Sequence, residues 1–213
     1  MFISEYGNSK AAAVIIQPVD DHDLAGLGAE IAEIKKLTAI DFCLMAVKIA
    51  DWNNDLSPWQ APAVFGDDNF GDGAAKTLAE ILPMCKKRDR TYFLGGYSLA
   101  GLFSMWAAYQ TDLFAGIAAA SPSVWFPGFT GYMQKNTIKS HNVYLSLGDR
   151  EEKTKNEITA KVGDAIRYGY ELLTKQGINV ILEWNKGGHF QEPELRTAKA
   201  FAWVLNNSLC GAV

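Results

Sequence analysis

Residues 91–111, TYFLGGYSLAGLFSMWAAYQT, set a short run of β-forming residues, a glycine-rich turn around a serine and an almost wholly apolar segment end to end. The first five residues read as a buried strand. Positions 99–111 read as a helix that is apolar nearly all round, as a helix packed behind a central strand should be. Between them, Gly96-Tyr97-Ser98-Leu99-Ala100-Gly101 has the strand, sharp turn, helix context of a nucleophile elbow. Such a turn strains the serine backbone, so the residues two before and two after it must be small, and Gly96 and Ala100 are. The same turn aims the Leu99 N–H outward at the head of a helix, where the dipole favours negative charge.

Outward from this stretch, apolar runs of strand length alternate with longer segments of helical period. They lie at 11–17, 42–48, 114–120, 143–147 and 179–184, with MFISE as a further edge strand. Helices are expected over about 23–37, 73–88, 155–176 and 193–208, and Asp23 and Asn156 are candidate N-caps because a short side-chain oxygen satisfies free N–H groups in a first turn. This alternation is the pattern of a mostly parallel sheet of about six or seven strands with helices on both faces, a three-layer α/β fold. No repeat and no Pro, Gly or Ser-rich linker divides the chain, so residues 1–213 are read as one domain. The long irregular stretches 49–72 and 121–142 follow strand ends, where open α/β sheets place their ligands.

Of the 213 residues, 48% are hydrophobic and 21% charged, enough to bury one substantial core, and the net charge of −4 lacks the basic excess that a nucleic-acid partner requires. Nowhere do about 18 apolar residues follow one another, so no membrane span is expected. Cys43, Cys85 and Cys210 are odd in number and far apart, which indicates neither a disulfide framework nor a zinc site and fits a reducing compartment. With Met1 as the natural start, MFISEYGNSK is no secretory leader, and a cytoplasmic location is expected.

Three histidines compete for the role of base. His189, in Lys186-Gly187-Gly188-His189-Phe190, lies between the last strand and the last helix, the position that supplies the base in an α/β hydrolase with chain order Ser, acid, His. His141 precedes a strand, at the wrong edge of the sheet. His22 sits among Asp20, Asp21 and Asp23, a run read as acids complementing a helix N-terminus rather than as metal ligands, because consecutive residues rarely converge on one ion. The acid is sought in Gly148-Asp149-Arg150-Glu151-Glu152-Lys153. A spacing of three residues after the glycine selects Glu151, with Asp149 as the alternative, and the chemistry needs a carboxylate there to fix the histidine tautomer and stabilise the imidazolium.

The segment GGYSLAGLFSMWAAYQTDLFAGIAAASPSVWF resembles the esterase family that includes S-formylglutathione hydrolase, the enterochelin esterases and the antigen-85 acyltransferases, through Gly96, Ser98, Ala100, Gly101, Phe114, Ser121, Pro122 and Trp125. GGHF and GDREE match the base and acid positions of that family. The resemblance implies an α/β-hydrolase fold and an esterase that cleaves small soluble esters or thioesters through an acyl-Ser98 intermediate, with no metal or organic cofactor. Transfer of the acyl group to another acceptor, or ligand binding without catalysis on the same scaffold, are the alternatives. Two departures stand out. Gln17-Pro18-Val19 replaces the His-Gly that commonly completes the oxyanion hole; Pro18 has no N–H, leaving Val19, or else Asp20, as second donor beside Leu99. About 20 residues between the strands at 114–120 and 143–147 leave no room for a lid domain. Trp52 and Trp125, with Trp59 and Phe126, are candidate pocket walls, each weighed against ordinary core packing. The sequence names neither acyl group nor alcohol nor oligomeric state.

Overall fold

The computed structural model describes residues 2–64 and 66–209; Cys210 lies outside them. Seven strands form one sheet: β1 (Phe2–Gly7), β2 (Ala13–Val19), β3 (Phe42–Lys48), β4 (Thr91–Tyr97), β5 (Phe114–Ala120), β6 (Asn142–Gly148) and β7 (Asn179–Asn185). Their order across the sheet is β1-β3-β2-β4-β5-β6-β7, with β1 antiparallel to β3 and every other pair parallel. The helices are α1 (Asp21–Leu37), α2 (Trp52–Asp55), α3 (Ala74–Ile81), α4 (Ser98–Gln110), α5 (Phe129–Lys135), α6 (Val162–Lys175) and α7 (Pro193–Leu209).

Side chains of a strand alternate between faces, and the two cores divide accordingly. Val14 and Ile16 of β2 and Leu94 of β4 join α3, α4 and α6, whereas Ala13 and Ile15 of β2 and Phe93 of β4 join α1 and α7. Every residue of α4 from Leu99 to Tyr109 is buried, which is why its apolar character runs all round.

Several boundaries move, each for a local reason. β2 runs two residues beyond the expected strand and takes in Pro18. The β2–β4 pairing ends at Ile16, so the N–H that Pro18 lacks is missing on a side with no partner strand to receive it. The helix expected over 73–88 stops at Ile81 and tightens into a 3₁₀ turn, Leu82–Met84, around Pro83. Helix α1 is capped by Asp20 rather than Asp23: Asp23 N–H donates to Asp20 Oδ1 (2.8 Å) and Asp20 N–H to Asp23 Oδ2 (3.1 Å), a reciprocal capping box. Asn156 does not cap α6, whose N-cap is Lys161; its Oδ1 accepts from Ile158 and Thr159 N–H in the turn that leads into the short 3₁₀ stretch Thr159–Lys161. Stretch 121–142 contains the seven-residue α5 ahead of β6, and no helical lid domain is found there among the described residues.

One polar pair lies inside the α1 side of the core. Gln17 of β2 donates to Glu30 of α1 (3.2 Å), both are buried, and Gln17 Oε1 and Glu30 Oε1 have no other partner. Burial pushes the Glu30 carboxyl up to about 8, with only the Gln17 hydrogen bond opposing it and the charges of Asp23 and Glu194 adding to the rise. Cys43 and Cys85 are free and buried, and no helix among the described residues is long and apolar enough to cross a membrane.

Candidate active site

Strand β4 ends at Tyr97 and α4 begins at Ser98 with no residue between them. Ser98 therefore has to reverse the chain by itself, and it does so at φ 55°, a left-handed conformation that costs a non-glycine residue about 1–3 kcal/mol. The turn is tight enough that a Cβ at Gly96 would stand 2.7 Å from Ala100 Cβ, the physical content of the small-residue rule. The Ser98 hydroxyl is thereby lifted above the C-terminal edge of the sheet, beside the head of α4.

The segment after β7 brings His189 to this point. His189 Nε2 lies 3.0 Å from Ser98 Oγ, and His189 Nδ1 lies 2.7 Å from Glu151 Oε2. Glu151 is buried in the turn after β6, where its Oε1 accepts from Gly148 N–H (2.7 Å), Ser121 Oγ (2.9 Å) and Arg196 Nη1 (2.9 Å). Burial alone pushes this carboxyl up. The hydrogen bond and charge of His189, the Gly148 N–H and the Ser121 hydroxyl outweigh it and hold the group below the ordinary glutamate range. An ionised Glu151 takes the Nδ1 proton as its hydrogen bond and leaves Nε2 as an acceptor facing the serine hydroxyl.

Asp149, the alternative acid, points elsewhere and has a different task. Its Oδ1 accepts from Gly187 N–H (2.8 Å), while Asp149 N–H donates to Asn185 O (2.8 Å) and Arg150 N–H to Gly187 O (3.1 Å). These bonds zip the acid turn to the histidine segment. The approach is so close that a Cβ at Gly148 would meet Gly187 O at 2.3 Å.

Four further side chains complete the arrangement without a motif to announce them. Arg196 of α7 is only 1% exposed, and besides Glu151 its guanidinium donates to Tyr97 Oη (3.0 Å), Ser121 Oγ (3.3 Å), Lys186 O (3.1 Å) and Gly188 O (3.0 Å). Tyr97 Oη donates to His189 O (2.6 Å). Ser121, at φ 40°, supplies a hydroxyl to Glu151, and Ser123 Oγ stands 3.3 Å from Ser98 Oγ. Arg196 did leave a trace in the sequence, as a charged residue on the apolar face of the last helix beside Thr197, Ala200 and Phe201.

Of the two oxyanion donors expected, Leu99 N–H is in the first turn of α4, where the N–H groups have no intrahelical acceptor. Val19 is committed elsewhere. It pairs with Lys48 and its carbonyl accepts from Ile49 N–H (3.0 Å); a strand residue turns N–H and C=O to the same side, so its N–H enters the β2–β3 ladder, away from Ser98. The Asp20 N–H is taken by Asp23.

A cavity of about 490 Å³ opens at Ser98 and His189, walled by Trp125, Thr159, Val162 and Phe190. Trp125 thus lies where a pocket wall was expected. Trp52, in α2, packs half-buried against the core and does not line the cavity, and half-buried Trp59 meets the buried Phe126 edge to face, also outside the lining. Among the described residues no three His, Cys, Asp or Glu side chains converge as a metal ion would need.

No protein-family model and no curated relative matches the sequence. Solved structures do match in fold. An IroE-like serine hydrolase from Shewanella oneidensis superposes with a TM-score of 0.75 at 14% identity, covering 94% of this chain and 74% of that one. The siderophore hydrolase EstA from Aspergillus nidulans gives 0.68 at 18% identity, over 97% and 86% of the two chains. The enterobactin esterase FES from Shigella flexneri gives 0.66 at 12% identity, with 96% of this chain matched to 55% of that one. The likeness establishes the α/β-hydrolase fold expected from the elbow and the alternating pattern.

Proposed function

We propose that this chain is a serine esterase that hydrolyses small soluble esters or thioesters through an acyl-Ser98 intermediate. The observation that carries the reading is the unbroken line from Ser98 Oγ through His189 to Glu151, with separations of 3.0 and 2.7 Å, at the head of a helix. That line supplies a nucleophile, a base in contact with it and a carboxylate orienting the base. Ser98 Oγ attacks the carbonyl carbon while its proton passes to His189 Nε2, and Leu99 N–H stabilises the oxyanion. The carbon–oxygen or carbon–sulfur bond to the leaving group then breaks, and the leaving atom takes the proton from Nε2. In the second half a water gives its proton to Nε2 and its oxygen to the acyl carbon, and Ser98 Oγ recovers the proton as it leaves. No metal or organic cofactor enters the scheme. The structural neighbours, a serine hydrolase, a siderophore hydrolase and an enterobactin esterase, support an ester as the bond attacked.

A fluorophosphonate probe followed by peptide mass spectrometry tests the assignment. Label is expected on Ser98, and Ser98→Ala is expected to fold, take no label and lose at least about 10³-fold in kcat on p-nitrophenyl acetate. Near-native turnover by that variant would refute it.

A further inference from the structure

The cavity next to Ser98 has a one-sided chemistry. Its apolar walls are Trp125, Val162 and Phe190, and its polar lining away from the Ser98–His189–Glu151 line is hydroxyl only, from Ser121, Thr154 and Thr159. No lysine or arginine lines it. Arg196, which binds Glu151, spends its Nη donors on Glu151, Tyr97, Ser121 and two backbone carbonyls, its Nε being buried without a partner, and it is not part of the lining. Lys153 and Lys155, which flank Thr154, are exposed and lie outside the lining. A carboxylate or phosphate entering this space would lose its water and gain no counter-ion, while facing the charge of Glu151.

Phe190 sharpens the point. It follows His189 directly, meets the imidazole edge-on with ring centroids 5.2 Å apart, and is 92% exposed. An apolar ring left in water at the mouth of a cavity gains free energy when a ligand covers it. Trp125, across the same space, offers a second aromatic wall. A volume of about 490 Å³ lies within the range of small-molecule sites and has room for an aromatic ring together with its ester.

We propose that this cavity receives an uncharged aromatic or branched apolar group, so that the preferred substrates are neutral esters bearing such a group on the acyl or the leaving-group side, and carboxylated analogues are rejected. The inference rests on the esterase reading and adds the substrate class to it.

Five esters decide it: ethyl acetate as baseline, ethyl phenylacetate and benzyl acetate as acyl-side and leaving-group-side probes, and the para-carboxylate of each. In at least one series kcat/KM should exceed that of ethyl acetate by about tenfold or more, and its para-carboxylate should fall back by at least about tenfold. Phe190→Lys places a cation at the exposed mouth without touching the core, and should recover about threefold or more of the carboxylate's deficit. Carboxylates turned over as fast as their parents, aromatic esters no better than ethyl acetate, or an unchanged ratio in Phe190→Lys would each overturn the inference. Fluorophosphonate label on Ser98 without turnover of any of the five would overturn the substrate class and leave the nucleophile standing. Absence of both label and turnover would overturn the esterase reading, and this inference with it.

Discussion

Replacing Arg196 by methionine removes the one buried cation that touches the carboxylate behind His189. The guanidinium binds Glu151 Oε1 and the imidazole binds Oε2, at 2.9 and 2.7 Å, so one carboxylate is held from behind by the cation while it orients the ring in front. A hydrogen bond between charged groups is worth about 1.5–3 kcal/mol, and a carboxylate that loses this anchor can turn away from the Nδ1 proton. If the loss is felt in the transition state, kcat should fall by about 10- to 100-fold. Stability should fall as well, by about 3–5 kcal/mol for a buried pair broken on one side, or roughly 10 °C in Tm for a chain of this size. Arg196→Lys separates the two effects. It keeps the charge beside Glu151, so part of the stability should return, yet it cannot fork between Glu151 and the carbonyls of Lys186 and Gly188, so kcat should still drop. The assay is kcat of each folded variant beside its thermal melt. A kcat unchanged in both variants, with only the melting temperature lowered, would show that Arg196 is a structural fastener and refute the reasoning.

Glu151→Gln should lower kcat by about 10²- to 10⁴-fold, because an amide cannot stabilise the imidazolium, whereas Asp149→Asn, which keeps an acceptor for Gly187 N–H, should cost less than about tenfold; steady-state kinetics on the pair check this, and the reverse ranking would exchange their roles. Glu30, with a carboxyl pushed up to about 8 from 4.5, binds its proton more tightly folded than unfolded, so its contribution is complete below about pH 4.5 and is lost as pH rises towards 8 at about a kcal/mol per pH unit. Chemical denaturation of Glu30→Gln between pH 5 and 8 should show that slope flattened, and an unaltered slope would contradict the assignment.

The fold was legible wherever local signals agreed. The runs 42–48 and 114–120 are strands at those very limits, and the serine turn is a turn because nothing else fits between a buried strand and a buried helix. Helix α5 was not legible: seven residues interrupted by Gly131 and preceded by two prolines carry no period, and only tertiary packing makes them helical. The spacing that favoured Glu151 over Asp149 could not say what Asp149 does, since its partner is a backbone N–H 38 residues away. The second oxyanion donor was misjudged because strand β2 continues through Pro18, and a ladder bond is a property of register rather than of residue type. No motif marks Arg196; yet on a helix face otherwise apolar, a guanidinium needs a buried partner, and that argument is available from the sequence.

The order in which the ribosome makes this chain gives the Arg196 knot a temporal meaning. Ser98 and His189 are 91 residues apart, and Arg196 comes later still. When the elbow emerges, β4 can pair with β2, but the turn carrying Glu151 has not been synthesised and nothing yet exists to accept a proton from the serine. The carboxylate arrives next, without its counter-charge. Only when α7 settles against β4, β5 and β6 do the guanidinium, the carboxylate and the imidazole meet in one place. A chain clipped before residue 193 would still carry Ser98, Glu151 and His189, but would lack both the guanidinium behind the carboxylate and the helix whose Ala198, Phe201 and Val204 close one face of the sheet.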